Sequence, residues 1–417
     1  MSDAWGPRAL SSLARYVNGF AFKPEHWGDE GLPIVRIEQL NNPDGNYDYC
    51  SVAVPSDNLI DDGDLIFSWS ATLKVAFWRH GKAALNQHLF KVIAEPDVDQ
   101  TFLFQLLDYH MEALAGGAHG STMKHIKRSE LDRFVVEIPK KNVQTLLASV
   151  LGALDAQIEA TGALIAKQER LRAGLMQDLF TRGVDENGEL RPPREDAPHL
   201  YHETELGWLP KGWSVEPFGN RIEVIDPNPS HRYPDPIEEG VPICSTENFD
   251  GEEGFNLDRA QHVPTDTFRF QNSRCRFHQN DVVFARKGRI GLARRYGENR
   301  MVFSHTLVTM KPITENLNEL WLLWLARSGH FLDGIRREMN SNSGVPTLGI
   351  AFIKSISVPF PERPEQERIA RHLDEATSNL EGAKADKVKL KRQKLGLMQD
   401  LLTGTVSVEP LLEKEAI

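Results

Sequence analysis

Two windows of the chain lack proline and carry apolar residues mostly at steps of three, four and seven. Between Pro139 and Pro192 these are Leu151, Leu154, Ile158, Ile165, Leu171, Leu175 and Leu179. Between Pro364 and Pro410 they are Ile369, Leu373, Ala376, Leu380, Ala383, Leu390, Leu397 and Leu401, with Lys387 and Lys394 completing the register. Heptad spacing puts one apolar stripe down a helix and requires a partner along its length. A helix of about 40 residues at ~1.5 Å each spans roughly 60 Å, more than the width of a small domain. The two stripes are therefore expected to pack on each other as an antiparallel coiled coil, and not each on its own domain.

Ahead of each window the pattern shortens. Leu32–Leu40, Asp64–Trp69, Lys74–Trp78 and His88–Ile93 are brief apolar runs bounded by Gly, Asp or Pro, the mark of strands between turns. Leu103–Leu114 has helical spacing before Gly116 and Gly117, and a strand follows from Phe134 to the break at Pro139. A second series repeats the plan: strands at Val241–Cys244, Asp281–Ala285, Leu307–Met310 and Ile356–Pro359, with a helix at Leu317–Ala326.

The repetition extends to residues. The string GLMQDL closes both windows, at Gly174–Leu179 and Gly396–Leu401, so that Met176 and Met398 stand 222 positions apart (398 − 176). The same offset aligns Leu131 with Ile353, Pro139 with Pro361, Gln144 with Gln366 and Leu151 with Leu373. Upstream the offset drifts, as insertions in loops would make it: His88 aligns with His305 and Asp64 with Asp281, while Trp5 and Trp213 mark the two starts. A globular unit followed by a long helix is thus written twice. Two unrelated domains sharing six residues by chance would not keep this register.

Composition refines the picture. With 40% apolar and 26% charged residues the chain is ordinary for a folded protein. No apolar run reaches the ~18 residues of a membrane span and the N-terminus has no signal-peptide pattern, so a cytoplasmic location is expected. Cys50, Cys244 and Cys275 stand apart, which supports neither a disulfide framework nor a metal site. The net charge of −11 argues at first against a nucleic-acid partner. Acidic residues, however, gather in stretches such as Asp185–Glu189, whereas Lys124, Lys127 and Arg128, and again Arg286, Lys287, Arg289, Arg294 and Arg295, form basic clusters. Local fields steer a polyanion; scattered solvated charges are the plainer alternative.

Several strings, taken in order, resemble the specificity (S) subunit of type I restriction-modification systems: Gly31-Leu-Pro-Ile-Val-Arg-Ile37, Gly63-Asp-Leu-Ile-Phe-Ser-Trp69, Asn86-Gln-His-Leu-Phe-Lys91, Leu209-Pro-Lys-Gly-Trp213, Ala285-Arg-Lys-Gly-Arg-Ile-Gly291 and Pro364-Glu-Gln-Glu-Arg-Ile-Ala370. With both GLMQDL copies they cover nearly the whole chain. The resemblance implies a mixed α/β fold class: two strand-rich target-recognition domains separated by a two-helix antiparallel coiled coil, with an internal pseudo-two-fold repeat. Expected boundaries are 1–140 and 211–361 for the recognition domains, 141–183 and 362–404 for the spacer helices, 184–210 for a linker and 405–417 for a tail. It also implies double-stranded DNA as ligand, two methyltransferase subunits and restriction/translocase subunits as partners, and no membrane. AdoMet, ATP and Mg²⁺ are expected on those partners and no cofactor in this chain. One departure stands out: Pro139-Lys-Lys-Asn-Val-Gln144 lacks the Glu and Arg of the second copy.

Reading a base edge takes Arg, Lys, Asn or Gln in the major groove. The loops near Gly116–Arg128 and Arg336–Gly349 are equivalent and polar, offering Lys124, His125, Lys127 and Arg128, and Arg336, Arg337, Asn340, Asn342 and Thr347. Each could equally be an ordinary exposed residue. Arg286, Lys287, Arg289, Arg294 and Arg295 suit phosphates better. Leu151, Leu154, Ile158, Ile165, Leu175 and Leu179, with Ile369, Leu373, Leu380, Leu390, Leu397 and Leu401, are expected at the helix-helix seam. His88 and His305 read as hydrogen-bonded core histidines, Asp64 and Asp281 as turn residues satisfying amides, and Trp69, Phe77 and Trp78 as core. Phosphate loops, GxGxxG, HExxH and GxSxG are absent, and Asp226-Pro-Asn-Pro229 only superficially resembles the catalytic string of adenine methyltransferases. A non-catalytic, sequence-reading subunit is the leading expectation; the recognition chain of a type II-like enzyme and a coiled-coil protein adaptor are the alternatives.

Overall fold

Both proline-free windows are uninterrupted helices, Lys141–Thr181 of 41 residues and Arg363–Leu402 of 40 residues. Pro364 lies in the first turn of the second, where a fixed φ and a missing N–H cost little. They are seen in a computed structural model that describes residues 5–116, 126–297, 299–341 and 347–408.

Packing divides the chain differently from a sequential cut at the helix ends. Residues 1–164 and 383–417 form one unit and residues 165–382 the other, so each long helix is shared between the two. In the first unit Val143, Leu147 and Leu151 share a core with Met398, Leu401 and Leu402. In the second, Leu179 and Phe180 share one with Ile369, Ala370 and Leu373. The start of one helix meets the end of the other both times, and the pair runs antiparallel.

The seam follows the expected register with one correction. Leu171 is 62% exposed, and the buried and half-buried positions run instead through Ile165, Gln168, Arg172, Leu175 and Leu179. Strict alternation of three and four from Ile165 lands on Gln168 and Arg172. On the partner helix Lys394 is buried as a seam residue, its ammonium 2.7 Å from Asp155 and 3.2 Å from Asp108. Arg172 is its repeat equivalent and pairs with Glu252 and with Thr377, which is itself the equivalent of Asp155. A polar layer of this kind fixes register at some cost in stability.

Each unit carries the same four-stranded antiparallel sheet. In the first the order is Ala14–Asn18, Leu89–Ala94, Leu65–Ser68, Lys74–Phe77; in the second it is Ile222–Ile225, Leu307–Pro312, Val282–Ala285, Ala293–Arg295. The central strands Leu65–Ser68 and Val282–Ala285 are buried at every position, which is why they read as continuous apolar runs. Beside each sheet lies a short parallel pair, Leu32–Val35 with Ala83–Leu85 and Val241–Cys244 with Val302–Phe303. The strand that directly follows Trp5 or Trp213 pairs with the last before the long helix: Gly6–Ala9 with Val135–Ile138, and Ser214–Pro217 with Ser357–Phe360.

Several expectations change. The run Leu32–Leu40 is a strand only to Val35 and then a helix, Ile37–Asn41. The helices Thr265–Cys275 and Gly329–Ser341 were not expected as elements, and the second takes in Arg336 and Arg337, which the sequence pattern places in a loop. The segment 184–210 is ordered and not a free linker: it contains the hairpin Tyr201–Thr204 with Gly207–Pro210, and Val184 and Leu209 are fully buried. Glu365 explains the departure noted in the first copy. Its carboxylate accepts the Val184 amide at 2.9 Å and pairs with Arg191, tying the start of the second long helix to the segment that follows the first. Where each long helix ends, a glycine with φ near +60 to +70° abuts the tryptophan that opens the same unit, Gly183 beside Trp213 and Gly404 beside Trp5.

Gln144 and Gln366 make identical contacts. Each side-chain oxygen accepts a backbone amide at 2.8 Å, from Asp99 or Asn318, and each side-chain nitrogen donates at 2.8 Å to Pro139 or Pro361. Asp99 and Asn318 in turn accept amides at the first turn of the next helix. Gln144→Leu and Gln366→Leu each leave buried polar groups unpaired. We expect about 2 kcal/mol of stability lost per substitution, read as a lower denaturant midpoint at unchanged m; losses below ~0.5 kcal/mol for both would remove this role.

Candidate nucleic-acid interface

At one end of each four-stranded sheet the chain makes the same mouth. In the first unit the strand Leu65–Ser68 runs out into Trp69, whose carbonyl accepts the Ile126 amide at 2.9 Å, and Asn86 and His88 precede the next strand. In the second, Val282–Ala285 runs out into Arg286, whose carbonyl accepts the Leu348 amide at 2.9 Å, and Ser304 and His305 precede the next strand. The amides of Asn86 and Ser304 bond to Val35 and Cys244 at 3.0 and 2.9 Å. The backbone frame is duplicated while the side chains at its rim differ.

In the second mouth Arg286 is buried, with its guanidinium 2.7 Å from Asp226 and its Nε donating to the His305 carbonyl at 3.0 Å. Opposite charges this enclosed satisfy each other, and removing one strands the other. His231 has φ +54° and its imidazole stacks on that of His305, centroids 4.7 Å apart. The Tyr233 hydroxyl is 2.7 Å from the His305 backbone nitrogen and 3.1 Å from its Nδ1. Burial, then the neighbouring His231, Lys287 and Arg286, hold His305 below the usual histidine range, against a smaller opposite pull from Asp226. Lys287 is bridged through its backbone to Thr347.

The first mouth is aromatic. The Trp69 ring lies 6.0 Å from His88 and 5.8 Å from Phe90, while Phe20 packs edge-on to Phe22 at 5.0 Å. Arg128 sits 5.9 Å over the Phe90 ring and donates to the Tyr16 carbonyl. Lys127 is exposed, its amide donating to Glu130 at the start of the helix Arg128–Arg133.

The remaining sequence candidates do not gather on one site. Arg294 is buried, donates to the Ala293 and Gly251 carbonyls and covers the Phe249 ring; burial, then the nearby Arg327, draws its pKa down to about 10, so it stays charged at neutral pH. Arg295 pairs with Asp374 at 2.6 Å and Arg336 with Asp333. Arg289 is exposed and donates to the Phe249 carbonyl at 3.3 Å; Arg337 and Thr347 are exposed. Lys124, His125 and Asn342 lie outside the described residues, as does the side chain of Asn340. Asp64 and Asp281 accept the amides of Asp61 and His278, as turn residues should, and each adds a lysine, Lys91 or Lys311. Trp78 is core, but His88 is exposed and His305 half-buried, so neither is the core histidine expected. Asp226, His231 and Tyr233 were missed because their partners are 60 to 74 residues away and no local spacing announces them.

Among the described residues no group of three or more His, Cys, Asp or Glu side chains could hold a metal ion, and no helix is long and apolar enough to cross a membrane. All three cysteines are buried thiols, and burial pushes Cys244 up to about 12.

Residues 2–170 and 242–391 match the family described as the type I restriction modification DNA specificity domain. The chain belongs to that family. The type I restriction enzyme EcoBI specificity subunit of Escherichia coli is 24% identical over 453 residues, which span 99% of this chain and 92% of the relative. The MjaVIII specificity subunit of Methanocaldococcus jannaschii is 20% identical over 427 residues, spanning 98% and 94%. Among solved structures, the S subunit from M. genitalium superposes with a TM-score of 0.59 at 15% identity over 96% of each chain. A chain from a study of type I R-M complex assembly and conformational transition gives 0.54 at 16% identity, over 96% of this chain and 98% of that one. Two matched segments in one specificity-family chain agree with the internal repeat.

Asp226→Ala should leave the Arg286 guanidinium buried without its counter-charge. We expect a loss of about 3 kcal/mol, measured by chemical denaturation, and a smaller loss for Asp226→Asn, which keeps a hydrogen-bond acceptor. Equal stability of both variants and the parent would show that the pair does not hold the mouth together.

Proposed function

We propose that this chain is the sequence-reading, non-catalytic subunit of a type I restriction-modification complex. Its first and second units each read one half of a split, asymmetric site on double-stranded DNA. The observation that carries the reading is the duplicated mouth: one backbone frame, presented twice, with an aromatic rim in one copy and a polar, histidine-rich rim in the other. Identical rims would read identical half-sites; unlike rims read unlike ones. Lys287, Arg289, Lys127 and Arg128 are described basic residues within three positions of the rim residues Arg286 and Ile126, and they suit phosphate contacts that position the duplex.

On this reading the antiparallel helices set the gap between the half-sites and offer surfaces to two methyltransferase subunits. AdoMet, ATP and Mg²⁺ then belong to the methyltransferase and restriction/translocase partners in the cytoplasm. The names of the relatives support membership of such a complex, and the exposed charge between the apolar stripes suits helices that remain in water on their outer faces.

Two measurements test this. The chain, copurified with its methyltransferase partner, is expected to bind one duplex sequence selectively, with affinity falling steeply and linearly in log–log fashion as salt rises. Selective binding of no duplex, at low or moderate salt, would turn the assignment toward a protein adaptor. Separately, inserting four residues into one long helix is expected to alter the spacing between half-sites while leaving each half unchanged, as read by mapping methylated adenines. Altered half-sites at constant spacing would overturn the spacer role.

A further inference from the structure

The two mouths differ in one respect that bears directly on base reading. The Tyr233 oxygen lies 2.7 Å from the His305 backbone N–H, which can only donate to it. Its own hydrogen is therefore free to point at His305 Nδ1, 3.1 Å away. With the Tyr233 hydrogen on Nδ1 that nitrogen accepts, and the neutral ring then carries its proton on Nε2. Among the described residues Nε2 has no hydrogen-bond partner. One face of the ring is covered by His231, and the backbone behind it is pinned by the Arg286 guanidinium on the His305 carbonyl. His305 is thus a half-buried side chain held in place on three sides, with Nε2 left over as the donor when Nδ1 accepts from Tyr233. His88, its repeat equivalent, is exposed, lies against Trp69 and has no hydroxyl partner among the described residues.

We infer that His305 is a specificity-determining residue of the second unit, donating from Nε2 to a base-pair acceptor in the major groove, and that Tyr233 is the positioning residue that keeps Nε2 a donor. The inference rests on the DNA-reading function proposed above. Guanine N7 and O6, adenine N7 and thymine O4 would accept; the amino groups of cytosine and adenine at the same place would be rejected. A protonated imidazole also donates from Nε2, so the preference of the native mouth holds across the histidine titration. Without the Tyr233 hydroxyl the neutral ring is free to carry its proton on Nδ1, and Nε2 then accepts. The charged and titratable groups facing the ring are His231, Lys287, Arg286, Asp226 and Tyr233 itself; Arg286 and Asp226 neutralise each other.

The test uses the full chain copurified with its methyltransferase partner and a library of duplexes varied singly through both half-sites. In His305→Gln, discrimination at one base pair of one half-site should fall roughly tenfold, with the other half-site and the spacing unchanged. Tyr233→Phe should lose several-fold at pH 8 at the same base pair and recover it as the pH is lowered through the His305 titration, followed by the nitrogen chemical shifts of the ring. Nitrogen chemical shifts of His305 should report the change of tautomer. His88→Ala should affect the opposite half-site only. Discrimination within twofold of the parent in His305→Gln would overturn the inference while leaving the DNA-reading function standing. A pH-independent loss in Tyr233→Phe would overturn the positioning role. Failure of the parent complex to select any duplex would instead remove the function on which both rest.

Discussion

The structure depends on a single polar contact made twice. Gln144 and Gln366 each join three things with one amide: the exit of the last strand, the first turn of the long helix, and the capped start of the helix that backs the sheet. Both glutamines are almost wholly buried. In such surroundings a two-ended amide is favourable only if both ends are met, and that requirement fixes the angle at which each long helix leaves its sheet. The apolar stripe supplies the area; the glutamine supplies the direction.

From that fixed departure follows the exchange of helices. A stripe that leaves its own sheet at a set angle can be covered only by another stripe, and the one available is the other repeat's. The cores record this, with Leu401 and Leu402 beside Leu147 and Leu151, and Ile369 and Leu373 beside Leu179. The polar seam residues Lys394 and Arg172 then discriminate among registers that Leu and Ile alone would tolerate, since each must find its own acids or hydroxyl. Conserving the frame in this way frees the rims: Trp69 and Arg286 occupy one backbone position and have opposite chemistries.

Much of this was legible in the sequence because it is carried by period and repetition. The heptads, the central strands and the pairing of Gln144 with Gln366 all announce themselves within a few residues or at a constant offset. Leu171 misled because composition suggested a leucine at the seam where strict alternation wanted Gln168 and Arg172. The helix Thr265–Cys275 was illegible because its sequence is polar and tertiary packing decides it, whereas Gly329–Ser341 carried a helical signal in Phe331, Ile335 and Met339 that was overridden by reading Arg336–Gly349 as a loop. The rims were the least legible. Arg286, Arg294 and Arg295 looked like free cations until the distant Asp226, Gly251 and Asp374 were seen to engage them, and His231 and Tyr233 gain meaning only once His305 is beside them.

The sharing of the long helices also sets an order of maturation. The second unit is continuous in the chain, whereas the core of the first contains Met398, Leu401, Leu402 and Val408. On a ribosome, which releases the chain from its amino end, the domain made first must wait with an open hydrophobic flank until the far end of the second long helix emerges, after the whole of the domain made second.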